Sequence, residues 1–259
     1  MEDIVLRVSL MQYDIVWENK KANLDYVGIR LKELAGETDI VVLPEMFSTG
    51  FSMNSHNLAE TVNGDTISRI KQWTKDYDIA ICGSFIAKDG ENYFNRGFFI
   101  TPEKEYYYDK RHLFRMGNEP KSFSAGKKQL ILEHKGFNIC LLVCYDLRFP
   151  VWARNVDNAY DLLIYTANWP ASRAKVWNAL LLARALENMA YVCGVNRTGT
   201  DGNGLAHNGE SKIIDARGDE IASLDSTEQI KTVSISKNEL ETFRKKFPVW
   251  KDADIFEIK

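Results

Sequence analysis

The chain has 259 residues, 45% of them hydrophobic and 27% charged, with a formal net charge of -3. That is enough material for one large domain or two small ones, and the mildly acidic charge gives no electrostatic reason to expect a nucleic-acid partner. No apolar run approaches a membrane span, and the acidic start Met1-Glu2-Asp3 lacks a signal-peptide core, so a cytoplasmic protein is expected, with no membrane partner. Cys82, Cys140, Cys144 and Cys193 include no C-x-x-C pair, and His56, His112, His134 and His207 show no ligand spacing. Reduced thiols are therefore expected, and a metal is not.

In chain order, Val5 to Met11 reads as a first buried strand, and Asn19 to Leu34 carries Leu24, Val27, Leu31 and Leu34 at helical spacing. Asp39 to Leu43 is a short apolar strand broken by Pro44, with Glu45 directly after it. Thr66 to Tyr77 repeats the helical period, Ile79 to Ile86 is a third strand, and Tyr93 to Ile100 and Glu105 to Tyr108 form a hairpin across Thr101-Pro102. Lys110 follows, then a loop from Arg111 to Lys128.

The apolar run Phe137 to Val143 reads as a central strand that ends at Cys144 and turns through Arg148 toward Pro150, a good first residue for a helix. A side chain at such a turn projects above the sheet's carboxyl edge, where open α/β folds bind ligands. Cys144 is then either a thiol placed to attack something or one more small buried hydrophobe.

Asp161 to Tyr165 is a further strand ending in T-A-N-W-P. Ser172 to Ala190 is a long helix, apolar on most of its circumference, which predicts cover on more than one side. Tyr191 to Val195 is a strand, G-T-D-G-N-G a loop, and Lys212 to Leu224 a hairpin turning at Arg217-Gly218. Thr232 to Ile235 is the last strand, and Ser236-x-x-Glu239 caps a helix running to Lys246, stopped by Pro248. The tail, about 247–259, keeps Trp250, Ile255 and Phe256 and is expected to cover a neighbouring surface or a partner subunit. Short apolar strands alternating with helices predict an α/β fold, and no linker divides residues 1–259, so a single domain is expected.

Glu45, Lys110 and Cys144 share one placement, each just beyond a strand. Separately, each has a plain alternative: a capping acid, a solvated lysine, a buried thiol. Together they offer acyl-transfer chemistry. A cation favours the thiolate, Glu45 can act as base if burial raises its pKa, and Lys110 with the Tyr145 N–H can hold an oxyanion. No histidine is placed to serve as that base.

L-P-E-M-F, Y-D-K-R-H-L-F and L-V-C-Y-D-L-R-F-P resemble the three signature blocks of the nitrilase superfamily, the carbon–nitrogen hydrolases with a Glu-Lys-Cys triad. A-N-W-P, L-L-L-A-R-A-L-E-N-M-A-Y-V, N-R-T-G-T-D-G-N-G and K-F-P-V-W-K-D-A-D resemble its YafV-type omega-amidase branch. The resemblance implies a four-layer α-β-β-α sandwich, a homodimer and no cofactor. It makes Glu45 the base, Lys110 the oxyanion-stabilising cation, Cys144 the nucleophile and Glu119 the second glutamate. It further implies a small-molecule amide substrate, the terminal amide of 2-oxo dicarboxylate monoamides such as 2-oxoglutaramate. Another amide, a carbamoyl compound or a nitrile is the alternative.

Arg173, just past A-N-W-P, is the candidate for the substrate's far carboxylate. Arg148 competes with it, its plain reading being a structural ion pair with Asp146 or another nearby acid. Phe47, Phe51, Phe114, Tyr145 and Trp169 could form a pocket wall or simply core, and Arg184 with Glu187 reads as a structural pair. A redox pair of Cys144 with Cys140 is disfavoured, since residues four apart on one strand lie roughly 13 Å apart.

Overall fold

Branched and aromatic residues on both faces of the long strands require cover on both faces, and the chain meets that demand with two stacked sheets. The computed structural model describes residues 3–258. The first sheet contains β1 (Val5–Gln12), β2 (Ile40–Val42), β3 (Ala80–Asp89), β4 (Asn92–Ile100), β5 (Glu105–Asp109) and β14 (Gln229–Ser236), in the order β14-β1-β2-β3-β4-β5. The second contains β6 (Leu130–His134), β7 (Phe137–Val143), β8 (Leu162–Ala167), β9 (Tyr191–Asn196), β12 (Lys212–Ile214) and β13 (Glu220–Ser223), in the order β13-β12-β9-β8-β7-β6. β1, β2 and β3 are parallel to one another, as are β7, β8 and β9. Two antiparallel steps, β3 to β4 and β4 to β5, return β5 to the direction of β2.

Between the sheets, Leu6, Val8 and Leu10 of β1 share one core with Ile139, Leu141 and Ile164 of the second sheet. Outside the first sheet lie α1 (Lys20–Glu33) and α3 (Asp65–Tyr77), with the short α2 (Ser55–Leu58) between them in the chain; Leu24, Val27, Ile67 and Ile70 of α1 and α3 meet Val41, Ile81 and Phe98. Outside the second sheet lies α5 (Ala174–Asn188), whose Trp177, Leu181 and Ala185 meet Leu163, Tyr165 and Val192. Each fully buried aliphatic side chain contributes about 2 kcal/mol, so these three cores, rather than helix propensity, hold the layers together. The order is α-β-β-α, the four-layer sandwich. Asn19 caps α1 by accepting from the Ala22 N–H at 3.1 Å, and Ser236 caps α6 (Lys237–Lys246) by accepting from Glu239 at 3.1 Å.

Several expectations need correction. No helix starts at Pro150; a 3-10 turn, Cys144–Arg148, leads into chain that is irregular up to β8 apart from one further 3-10 turn, Val156–Asn158. Asn155 braces that segment instead, donating to the Tyr160 carbonyl within it at 2.9 Å and to the Asn188 carbonyl at the end of the long helix at 3.0 Å. The long helix is covered on one side only, leaving Leu182 and Leu186 39% and 47% exposed. The loop Arg111 to Lys128 holds a short helix, α4 (Glu119–Ser122), and the G-T-D-G-N-G tract is the end of β10 and the turn of a hairpin that pairs β10 (Thr198–Thr200) with β11 (Ala206–Asn208). Strand β6 is not among the expected elements. No helix among the described residues is long and apolar enough to cross a membrane.

Candidate active site

β2 and β5 point the same way in the first sheet, so the residues just beyond them emerge at one rim. Glu45 follows β2, and Lys110 follows β5. Lys110 Nζ lies 2.9 Å from Glu45 Oε1 and 3.0 Å from each carboxylate oxygen of Glu119, the first residue of α4. Glu119 is further fixed by the Phe114 N–H, which donates to its Oε2 at 2.5 Å. Glu45 also reaches the second sheet: its Oε2 accepts from the Asn168 N–H, just past β8, at 3.0 Å. Lys110 is 1% exposed and both glutamates are fully buried.

Cys144 closes the same cavity from the end of β7. Its φ of 44° lies in the left-handed region, which costs a non-glycine residue on the order of 1 kcal/mol or more and persists only where neighbours hold it. Asp146 does the holding. Its Oδ2 accepts from the Val143 N–H at 3.1 Å and the Tyr108 hydroxyl at 2.7 Å, and its Oδ1 accepts from the His112 N–H at 3.0 Å. His112 Nδ1 also lies 2.7 Å from that Oδ1. The carboxylate thus ties the cysteine turn to the segment that follows Lys110.

Charge explains the protonation states. Burial alone would discharge Lys110, but the charges of Glu119 and Glu45 outweigh it and hold the ammonium above its ordinary value. Burial raises the Glu119 carboxyl, opposed by Lys110 and reinforced by Glu45. Burial and then the Glu45 charge push the Cys144 thiol well up, against Lys110 and the Asn168 N–H. One ammonium already faces two carboxylates, so a third anion has no counter-charge. The resting sulfur is a thiol.

The cavity measures about 540 Å³. Phe51, Phe114, Tyr145 and Trp169 line it, together with Arg148 and Arg173. Arg173 lies over the Phe114 ring at 5.2 Å and Arg148 over the Trp169 ring at 5.2 Å. The expected Arg148–Asp146 pair does not form, because Asp146 is taken by Val143, Tyr108 and His112. Phe47 is core, packed edge-on against Phe98 at 5.8 Å. Arg184 and Glu187 do pair, at 2.8 Å. Cys140 is wholly buried in β7.

Sequence reasoning missed Asn95, Asn168 and His207. Asn95 carries a signal in retrospect, a polar residue inside the apolar strand β4 where it is fully buried. Asn168 belongs to the A-N-W-P stretch, which by itself assigns it no role. His207, on β11, lines the cavity, and its Nδ1 donates to the Leu205 carbonyl at 3.0 Å. Burial, aided by Arg197, pushes the imidazole down to about 4, so the ring is neutral with Nε2 as an acceptor. Among the described residues, no cluster of three or more His, Cys, Asp or Glu side chains could hold a metal ion.

An α-β-β-α sandwich with an acid, an amine and a thiol on one cavity defines a carbon–nitrogen hydrolase: residues 7–245 match that family's model, and the chain belongs to the family. Within it, the chain is 41% identical over 255 residues to omega-amidase YafV of Escherichia coli (strain K12), covering 98% of each chain. It is 31% identical over 251 residues to 2-oxoglutaramate amidase of Bacillus subtilis (strain 168), covering 95% of this chain and 96% of that one. Its backbone superposes with a TM-score of 0.97 on a CN-hydrolase superfamily protein of Xanthomonas campestris, solved with an arsenic adduct in its active site. That protein is 42% identical, and the match covers 100% of both chains.

Proposed function

We propose that this protein is an omega-amidase, releasing ammonia from the terminal amide of small 2-oxo dicarboxylate monoamides such as 2-oxoglutaramate and 2-oxosuccinamate. The observation that carries the reading is the buried Glu45–Lys110–Glu119 cluster sharing one cavity with Cys144 and with two guanidinium groups. Omega-amidase YafV and 2-oxoglutaramate amidase among the relatives support the substrate class.

Because the thiol rests protonated, attack and proton transfer go together. Cys144 Sγ bonds to the amide carbon as Glu45 takes the thiol proton, and the carbonyl electrons move onto oxygen. Lys110 and the Tyr145 N–H hold that oxyanion. Of the three ammonium N–H groups, one serves Glu45 and one can be shared by the two Glu119 oxygens, which leaves the third for the substrate. Glu45 returns its proton to the nitrogen, the C–N bond breaks, and ammonia leaves a thioester. Glu45 then activates a water that attacks the thioester carbon, releasing the acid and the reprotonated thiol. Glu119 positions Lys110 through both steps. Arg173 and Arg148 take the distant carboxylate, with Phe114, Tyr145 and Trp169 as the walls around it. No cofactor enters this scheme. The open row Leu182 and Leu186 on α5 and the exposed tail residues Ile255 and Phe256 support pairing of two copies.

Replacement Cys144→Ala abolishes ammonia release while leaving the thermal unfolding transition in place; retained turnover ends the mechanism. A panel of 2-oxoglutaramate, 2-oxosuccinamate, N-carbamoyl amino acids and simple nitriles, read by ammonia release, tests the substrate class. Preference for a carbamoyl compound or a nitrile would replace the substrate and keep the triad.

A further inference from the structure

A hydrogen-bond chain behind the triad is not used in the amidase steps above. The Met46 N–H donates to Ser84 Oγ at 2.8 Å, and the serine hydroxyl donates onward to Asn95 Oδ1 at 3.0 Å. The two carboxylates on its other side fix which end of the Asn95 amide is which, because they can only accept. Its two N–H groups then face the rim, one donating to Glu45 Oε1 at 2.7 Å and the other to Glu119 Oε1 at 3.0 Å. Those same two oxygens also accept from Lys110. One ammonium and one amide therefore close a ring around two carboxylates. All four residues are nearly or wholly buried.

We propose that Asn95 is a positioning residue that keeps Glu45 and Glu119 ionised side by side on a single ammonium, so that Glu45 is available as a base at neutral pH. This rests on the assignment of Glu45 as the base. Two carboxylates held on the same ammonium and the same amide, away from water, favour picking up a proton between them. A second cation at this place would remove the tendency, but it would also compensate the charge that Glu45 uses to draw the thiol proton. A neutral amide with two donors supports both anions and adds no charge. The charged and titratable groups facing the pair are Lys110 beyond β5, Cys144 beyond β7 and, across the cavity, His207 of β11. None of these offers an N–H to both glutamates except Lys110.

The test compares wild type, Asn95→Leu and Ser84→Ala by two readouts as a function of pH. One is the rate of Cys144 alkylation by iodoacetamide, followed on its own peptide by mass spectrometry. The other is kcat/KM for ammonia release from 2-oxoglutaramate. Asn95→Leu is expected to move the acid limb of both profiles upward by about one pH unit, with activity recovering on the alkaline side. Ser84→Ala, which removes only the hydroxyl that holds the amide oxygen in place, moves it the same way by less. A uniform loss at every pH with the limb unmoved would mean that Asn95 only fills space and would overturn the proposal. If Asn95→Leu does not fold, the Ser84→Ala profile decides by the same criterion. Labelling needs no turnover, so it stands even where 2-oxoglutaramate proves not to be the substrate; that failure appears in wild type, with both variants behaving alike toward the substrate.

Discussion

Lys110 shows how a buried charge is tolerated and how much its partners depend on it. Its ammonium compensates two glutamates that water does not reach. Lys110→Met keeps most of the volume but leaves both acids without a cation, and removing one member of a buried pair costs about 3–5 kcal/mol. The loss should appear as a lower urea midpoint near pH 7. In the variant the folded-state carboxyls titrate above their unfolded values, so they bind protons that the unfolded chain does not. Stability is therefore recovered as pH falls through those raised values, and the gap to wild type narrows toward pH 5. A gap that stays constant with pH would contradict this account. Glu45, Lys110 and Cys144 can be picked out of the sequence because each follows a strand closely, and strand ends are where such folds gather chemistry. Asn95 and His207 cannot. A polar residue within a strand reveals its partners only when the register of its neighbours is known, and His207 becomes a cavity residue only through a hairpin of two short strands. The expected pairing of Arg148 fails for a related reason: its near acid, Asp146, has its oxygens committed to groups far away in sequence.

Among the elements, the β10–β11 hairpin is the least expected and carries the clearest pH dependence. Its turn residues read as loop, and three-residue strands leave almost no periodicity to detect. Its seat comes from other parts of the chain: Thr198 bridges to Asp14, and a Cβ on Gly199 would fall 2.1 Å from the Asp14 carboxyl carbon. The hairpin buries His207 with its pKa lowered from 6.5 to about 4. A lowered imidazole contributes stability that is complete above the unfolded value and drains away as pH falls toward the folded one. Between pH 6.5 and about 4, wild type should therefore lose ~2–3 kcal/mol that His207→Gln does not lose, measured as the difference between their urea unfolding free energies. Parallel curves for the two proteins would show that the hairpin does not hold the ring away from water. The long strands and α3 are legible from their period, α1 from period and its Asn19 cap, and α6 from its Ser236 cap and its stop before Pro248. The exposed side of α5 is not, since an apolar stripe in sequence cannot say whether its cover comes from the same chain.

At the scale of the whole molecule, the reactive rim belongs to neither sheet alone. Glu45 and Lys110 come from the first sheet, Cys144 and Asn168 from the second, and the Asn168 N–H bond to Glu45 joins the two. The opposite end is fastened by Asp161, which receives Arg244 at 2.9 Å and also pairs with Lys237, so that α6 clamps onto the second sheet. Deleting residues 229–259 removes both that clamp and β14. The expected result is loss of the cooperative unfolding transition and recovery of the protein in the insoluble fraction, not a trimmed but active enzyme. A soluble fragment with a sharp thermal transition would show that the remaining five strands suffice.

The pairing of β14 along the full length of β1, from Val5 with Ser236 to Gln12 with Gln229, has a kinetic counterpart. A nascent chain can align β1, β2 and β3 early, yet the outer border of β1 stays bare until β14, far along the chain, has left the ribosome. Until then that border offers unpaired N–H and C=O groups to any passing strand. Chaperone occupancy should accordingly persist on growing chains until β14 emerges and then fall in a single step.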